Sequence, residues 1–199
     1  ETSPVVSRNP INDIRIETVG PPFKGNQVKI AADGEVLIKG ENVMIGYWNN
    51  PIDTNKSIIN GWLYTGDIGH FENGFLKITD RKKDILITPG GDNISPVKIE
   101  NDLTNIEFIE QALVYGDNKP YLVAVLVLNK DKKDINKETI DNEVEKVNAR
   151  LSKIEKIKKF IVTDKQFSIE NGFMTPTLKL KRYKIVQEYK NELEKLYNY

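Results

Sequence analysis

The sequence predicts an α+β protein in two parts: a β-rich stretch over residues 1–80 and a mixed stretch over 81–199. Three observations carry this. Two Asx-Gly pairs sit between alternating apolar residues, a hairpin signature. From about Asp80 the pattern changes to branched apolar runs interleaved with helical spacing. The chain has 199 residues with 39% hydrophobic content, which suits two small cores.

In the first part, "QVKIAADGEVLIKG" reads as two strands around Asp33-Gly34, with Val28, Ile30, Val36 and Ile38 on the buried side. "VMIGYWNNPIDTNKSI" reads as a loop with a stop at Pro51 and at most a short helix. "HFENGFLKI" repeats the hairpin device at Asn73-Gly74. Together these predict a small open β-barrel or sandwich. In the second part, Ser95-Pro96 is a helix start, so "PVKIENDL" is a short helix with Ile99 and Leu103 on one face. "QALVYG" and "YLVAVLVL" read as buried strands. Ile140, Val144, Val147, Leu151 and Ile154 form one helical stripe, "KKFIVTD" is a further strand, and a last helix carries Val186, Tyr189, Leu193 and Leu196.

Net charge is +0, so nothing here holds nucleic acid by a sustained positive field. Cysteine is absent, which removes thiol catalysis and disulfides and fits a reducing, cytoplasmic location. The single His70 cannot build a metal cluster and receives no role. No apolar run is long enough to span a bilayer. The sequence opens at Glu1 without Met, which suggests a piece of something longer.

Four places could carry chemistry. Asp67, at the end of a strand, could accept from two sugar hydroxyls or could merely bond its own turn. Arg81, Lys82 and Lys83 could grip an oxyanion or form a solvated edge. Gly90-Gly91 in "TPGGDNISP" permits close approach of another surface or simply links two elements, and it fits neither a Walker loop nor a dinucleotide fingerprint. Lys179, in an extended loop before a helix, could reach an anion on another domain or lie solvated.

Read in order, "GEVLIKGENVMIGYWNNP", "GWLYTGDIG", "DRKKDILITPGGDNISPVKIE" and "TPTLKLKR" resemble the successive motifs of the AMP-forming acyl-CoA synthetase family, the adenylating superfamily that also holds luciferases and peptide-synthetase adenylation domains. The resemblance covers the whole chain. It implies that residues 1–80 end a large domain in a distorted β-barrel subdomain, that 81–199 form a small mobile α+β domain, and that a hinge lies around 80–83. It implies a carboxylate attacking ATP to give an acyl-adenylate and pyrophosphate, followed by displacement of AMP by the thiol of coenzyme A.

Residue by residue, the resemblance gives Asp67 and Arg81 to the ribose, Lys83 to the hinge, and Gly90 and Gly91 to the coenzyme A loop. Lys179 is given to the α-phosphate during adenylation, with Lys181 as its rival, because the Ser-Gly that many members carry before this lysine is missing. Arg182 three positions on favours Lys179. Glu1 matches a magnesium-associated acid. ATP, coenzyme A and Mg2+ are therefore the implied cofactors. "TPGGDNISP" and "TPTLKLKR" look most like long-chain fatty acyl-CoA synthetases, which implies a fatty acid substrate and leaves room for peripheral membrane contact. The piece alone is expected to be inactive, and apolar surface near residues 5–65 is expected to favour self-association. An adenylation domain loading a carrier protein and a non-catalytic relic acting as an interaction module are the alternatives.

Overall fold

A computed structural model describes residues 1–129, 131 and 135–198. The chain divides into two compact units, Glu1–Lys83 and Asp84–Tyr199.

The first unit is an antiparallel five-stranded sheet with one short helix. Strands β1 (Gln27–Ile30) and β2 (Glu35–Lys39) pair in the register Val28↔Ile38 and Ile30↔Val36. Val36 and Ile38 are buried, whereas Val28 and Ile30, on the outer strand, are only half-buried against the same cluster. The segment before the next strand is the expected loop followed by a short helix, and only the part read for its proline differs. Pro51 does not stop anything; it opens α1 (Pro51–Ser57), where a missing amide costs nothing and the Asn50 side chain accepts from the Asp53 amide.

After β3 (Ile58–Ile59) comes β4 (Trp62–Glu72), the long strand that organises the sheet. It pairs with β2 on one side and with β3 and then β5 (Phe75–Arg81) on the other. Asn73 and Gly74 make the β4–β5 turn with φ of 49° and 83°, the left-handed pair that a two-residue hairpin requires. Register shifts between Ile68 and Gly69 and between Glu35 and Leu37 bend the ladder, so the sheet curls and stays open. Most of the exposed apolar side chains of this unit, including Ile11, Ile16, Ile45 and Trp48, lie in its loops, whereas Ile59 on β3 and Phe71 on β4 are exposed on strands.

The second unit opens with a small hairpin, β6 (Leu86–Ile87) and β7 (Asn93–Ile94), then α2 (Pro96–Thr104) with Ser95 as its cap. A three-stranded sheet follows in the order β10-β9-β8, from β8 (Ile109–Tyr115), β9 (Leu122–Leu128) and β10 (Ile157–Thr163). Strand β9 runs antiparallel to β8 and parallel to β10, the crossover being α3 (Lys137–Asn148). All seven β9 residues are buried because the strand is central and both faces are covered. Ala124 and Leu126 face the α2–α3 layer with Ile99, Leu103, Ile140 and Val144. Val123, Val125 and Val127 face Phe167, Phe173, Ile185 and Leu193 on the other side.

Two stripes differ from expectation. Helix α3 ends at Asn148, whose buried side-chain Nδ2 donates to the Ile157 carbonyl at 2.9 Å and whose Oδ1 accepts from the Ile157 N–H at 2.8 Å, which closes the helix onto β10. Leu151 is still buried in the turn, but Ile154 has left the stripe and is 44% exposed. The C-terminal helix is broken into α4 (Arg182–Glu188) and α5 (Lys190–Lys195), and its buried line is Ile185, Tyr189 and Leu193, with Val186 and Leu196 at its margin.

A tyrosine cluster fastens the chain's end. The Tyr197 hydroxyl donates to the Tyr121 carbonyl at 3.1 Å, and Tyr115 donates to Glu194 at 3.0 Å. Burial, helped by that carboxylate, pushes the Tyr115 phenol up from 10.0 to about 12, and burial pushes Tyr197 up as well. Raised phenols favour the folded state: their contribution is whole below pH 10 and is lost as pH rises towards about 12. In an alkaline titration followed by tyrosinate absorbance, two of the eight tyrosines should ionise together with loss of the near-UV circular dichroism. Full ionisation near pH 10 with that signal intact would disprove the clasp.

Candidate active site

Asp67 lies inside β4, not at a strand end, at the point where the ladder bends. Gly66, with φ of +70°, makes that bend possible. Three contacts hold it. The Thr65 hydroxyl donates to the Val36 carbonyl at 2.7 Å, the Asp67 amide donates to the Thr65 hydroxyl at 3.1 Å, and the Gly66 amide donates to Glu35 Oε1 at 2.8 Å. The antiparallel register then sets Arg81 opposite Asp67, and its Nε lies 2.9 Å from the carboxylate. Arg81 Nη1 donates to the Thr65 carbonyl at 3.4 Å. Asp67, Arg81, Thr65 and Glu1 line one cavity of about 300 Å³. Glu1 accepts from the Tyr47 hydroxyl there.

Sequence reasoning missed Glu35. It is a carboxylate at the start of a strand, and its side chain is only 5% exposed. Besides the Gly66 amide it holds Lys82 at 2.8 Å, and Lys82 also reaches Asp33 at 2.7 Å. The bond to Asp33, then that to Glu35, keeps the Lys82 ammonium above its ordinary value, and the same contact lowers Asp33. The lysine's contribution is whole below pH 10.5 and lost above it, and the aspartate's is whole above pH 3.8 and lost below it, so the clasp holds between those limits. Replacing Glu35 by Ala leaves the Gly66 amide without its acceptor and Lys82 with Asp33 alone, and should cost the first unit about 1–3 kcal/mol, seen as a lower urea midpoint for that unit. An unchanged midpoint would deny Glu35 this part.

Lys83 is exposed, in a 3₁₀ turn Lys82–Asp84, and is the last residue of the first unit. Gly90 and Gly91 form the exposed turn between β6 and β7, closed by Gly91 N–H to the Thr88 carbonyl at 2.9 Å and by the Thr88 hydroxyl to Asp92 at 3.0 Å. Gly91 has φ of +88° and open space where a Cβ would stand, so the backbone is accessible there.

Lys179 does not sit in an extended loop. Met174 and Leu180 bridge, Thr175 N–H donates to the Lys179 carbonyl at 2.8 Å, and Lys179 N–H donates to the Thr175 hydroxyl at 3.0 Å. Leu178, with φ of 60°, turns the tip. The result is a tight hairpin whose exposed lysine has no ion-pair partner among the described residues. Lys181 is half-buried, and its amide donates to the Phe173 carbonyl at 2.7 Å. Arg182 follows, paired with the buried Glu100. Glu100 was also missed, although an acid on the apolar face shared by Pro96, Ile99 and Leu103 is a readable sign of a paired buried charge. Asp67 and Arg81 thus stand together on the first unit, while Gly90, Gly91 and Lys179 belong to the second. Among the described residues no group of three or more His, Asp or Glu side chains gathers as a metal site.

This architecture is that of adenylation enzymes. The adenylation domain of a carboxylate reductase from Mycobacterium chelonae aligns with a TM-score of 0.76 at 28% identity, over 89% of this chain and 31% of that one. The corresponding domain of the carboxylic acid reductase from Segniliparus rugosus, solved with AMP and a co-purified carboxylic acid, aligns with a TM-score of 0.78 at 25% identity, over 90% of this chain and 32% of that one. More narrowly, residues 83–199 match the AMP-binding enzyme C-terminal domain, and the chain belongs to that family. Long-chain-fatty-acid–CoA ligase FadD15 of Mycobacterium bovis is 37% identical over all of this chain, which spans 37% of that protein's length. No helix among the described residues is long and apolar enough to cross a membrane.

Proposed function

We propose that this chain is the C-terminal part of an AMP-forming long-chain fatty acid–CoA ligase, with residues 1–80 completing the β-barrel subdomain of the large domain and 81–199 forming the mobile small domain. The observation that carries this reading is the separation of Asp67 and Lys179 into different compact units, which a mechanism of alternating domains requires. The identity with the mycobacterial ligase over the whole chain supports the substrate class.

In the first half-reaction a fatty carboxylate oxygen attacks the α-phosphorus of ATP and pyrophosphate leaves. Asp67, oriented by Arg81, accepts from the ribose hydroxyls, since an ionised carboxylate offers two acceptor oxygens. The Lys179 ammonium meets the negative charge that builds on the phosphoryl oxygens. In the second half-reaction rotation about Lys83 withdraws the lysine and brings up the Gly90-Gly91 turn. The open face of Gly91 leaves room for the pantetheine arm. The coenzyme A sulfur then attacks the acyl carbon and AMP departs. Mg2+ would travel with the nucleotide phosphates, with Glu1 as one contributing acid.

ATP–pyrophosphate exchange by the full-length enzyme, measured against carboxylates of increasing length, tests this directly. Exchange should rise towards long chains, and acyl transfer should go to free coenzyme A. Exchange confined to amino acids or aryl acids, or transfer only to a phosphopantetheinyl protein, would replace the reading with that of a different adenylating enzyme.

A further inference from the structure

We infer that Arg182, clamped by the buried Glu100, is the positioning residue that aims the Lys179 ammonium; the inference rests on the adenylation role proposed for Lys179. The Lys179 hairpin has two stems. The incoming stem is held by Phe173, which is buried and packs edge-on against Phe167 with ring centroids 5.9 Å apart. The outgoing stem runs directly into α4, whose first residue is Arg182 and whose start has no side-chain cap. That start is fixed instead by a two-pronged contact: Arg182 Nη1 and Nη2 lie 2.6 and 2.5 Å from the two Glu100 oxygens. Glu100 Oε1 also accepts the Val114 amide at 2.7 Å. One carboxylate thereby ties the end of the hairpin to α2 and β8. This anchor stands three positions from Lys179, a span of at most about 11 Å.

A buried ion pair is poor evidence for stability, because apolar replacements are often neutral or better. What the pair does supply is direction. The guanidinium fork meets a carboxylate in one plane, and here that plane is set by three elements at once. Hydrogen bonds within the hairpin fix its shape, and Phe173, Met174 and Leu180 pack its stems against the core, but apolar packing is non-directional and does not by itself set the lean of the outgoing stem. The Arg182–Glu100 contact sets that lean, and a displacement of about 1 Å of a charged group from a reacting phosphate can cost about 100-fold in rate.

Loss of Arg182 alone leaves the Glu100 charge buried without its fork and risks unfolding, so the test pairs Arg182→Met with Glu100→Gln. The amide keeps an acceptor for Val114 and removes the charge. In the full-length enzyme this double variant should melt near the parent and adenylate about 10- to 100-fold more slowly, with the thioester step from supplied acyl-adenylate changed by less than about threefold. Arg182→Lys should fall between, since one ammonium cannot occupy both prongs. Lys179→Ala is run alongside. If Lys179→Ala is slow and the double variant adenylates normally, or loses both steps in equal proportion, the positioning role is wrong while the adenylation reading stands. If Lys179→Ala itself adenylates normally, both fall. Amide hydrogen exchange at residues 174–181 supplies the second readout: it should quicken in the double variant and not elsewhere in the unit, and unchanged exchange there would also overturn the role.

Discussion

Lys179→Ala in the full-length enzyme should slow adenylation by about 100- to 1,000-fold, which is about 3–4 kcal/mol of transition-state stabilisation, and leave thioester formation from supplied acyl-adenylate nearly untouched. The magnitude follows from the kind of group removed. A preorganised cation facing charge that grows only in the transition state contributes more there than to substrate binding, so the loss falls on the rate rather than on the ATP affinity. The structure favours this division. The ammonium stands exposed on a tight hairpin and, among the described residues, is not committed to any carboxylate, so it can meet a phosphate without first breaking an ion pair. Rapid-quench measurement of each half-reaction decides the matter, and equal slowing of both would remove the assignment. Lys181→Ala is the control: that residue's amide closes the hairpin stem, and its side chain should matter far less to the phosphoryl step.

The isolated 199-residue chain should form no acyl-adenylate at all. It spans 37% of the length of the mycobacterial ligase, and the ribose contacts proposed for Asp67 and Arg81 are only one wall of a nucleotide site. Orientation and charge stabilisation act multiplicatively on rate, so removing the groups that hold the remaining phosphates and the acyl chain lowers turnover by many powers of ten rather than by a fraction. The assay is radiolabelled ATP–pyrophosphate exchange with a long-chain carboxylate. Exchange above background by this chain alone would mean that the reacting centre lies elsewhere than proposed. Adding back the large domain as a separate polypeptide gives the complementary measurement, and recovered exchange would locate the missing groups in it.

Much of the fold is legible in the sequence because the relevant physics is local. "YLVAVLVL" announces a strand buried on both faces, since no alternation survives when both sides are covered, and β9 is such a strand. Ser95-Pro96 states its helix start with two residues, and the Ser95 hydroxyl does accept the Lys98 amide at 3.2 Å. Asn73-Gly74 dictates its turn because both positions need positive φ. Pro51 shows the limit of such reading: a proline marks either an end or a first helical turn, and the preceding Asn50 cap decides for the second. Ile154 leaves the helical stripe for a reason its spacing does not carry: the helix ends at a buried asparagine whose partner is nine residues away on a strand.

The sequence by itself determined the long strands, the two Asx-Gly turns of the first unit and the start of α2, and through its ordered motifs it nominated the residues of the proposed mechanism. Tertiary structure alone decided what holds those residues in place: Glu35 reaching Gly66 and Lys82 across 31 and 47 positions, and Glu100 reaching Arg182 across 82. The reason is physical. Periodicity and turn chemistry are written within a few neighbouring residues, whereas a buried carboxylate becomes meaningful only when folding brings it the distant donor that makes its burial tolerable.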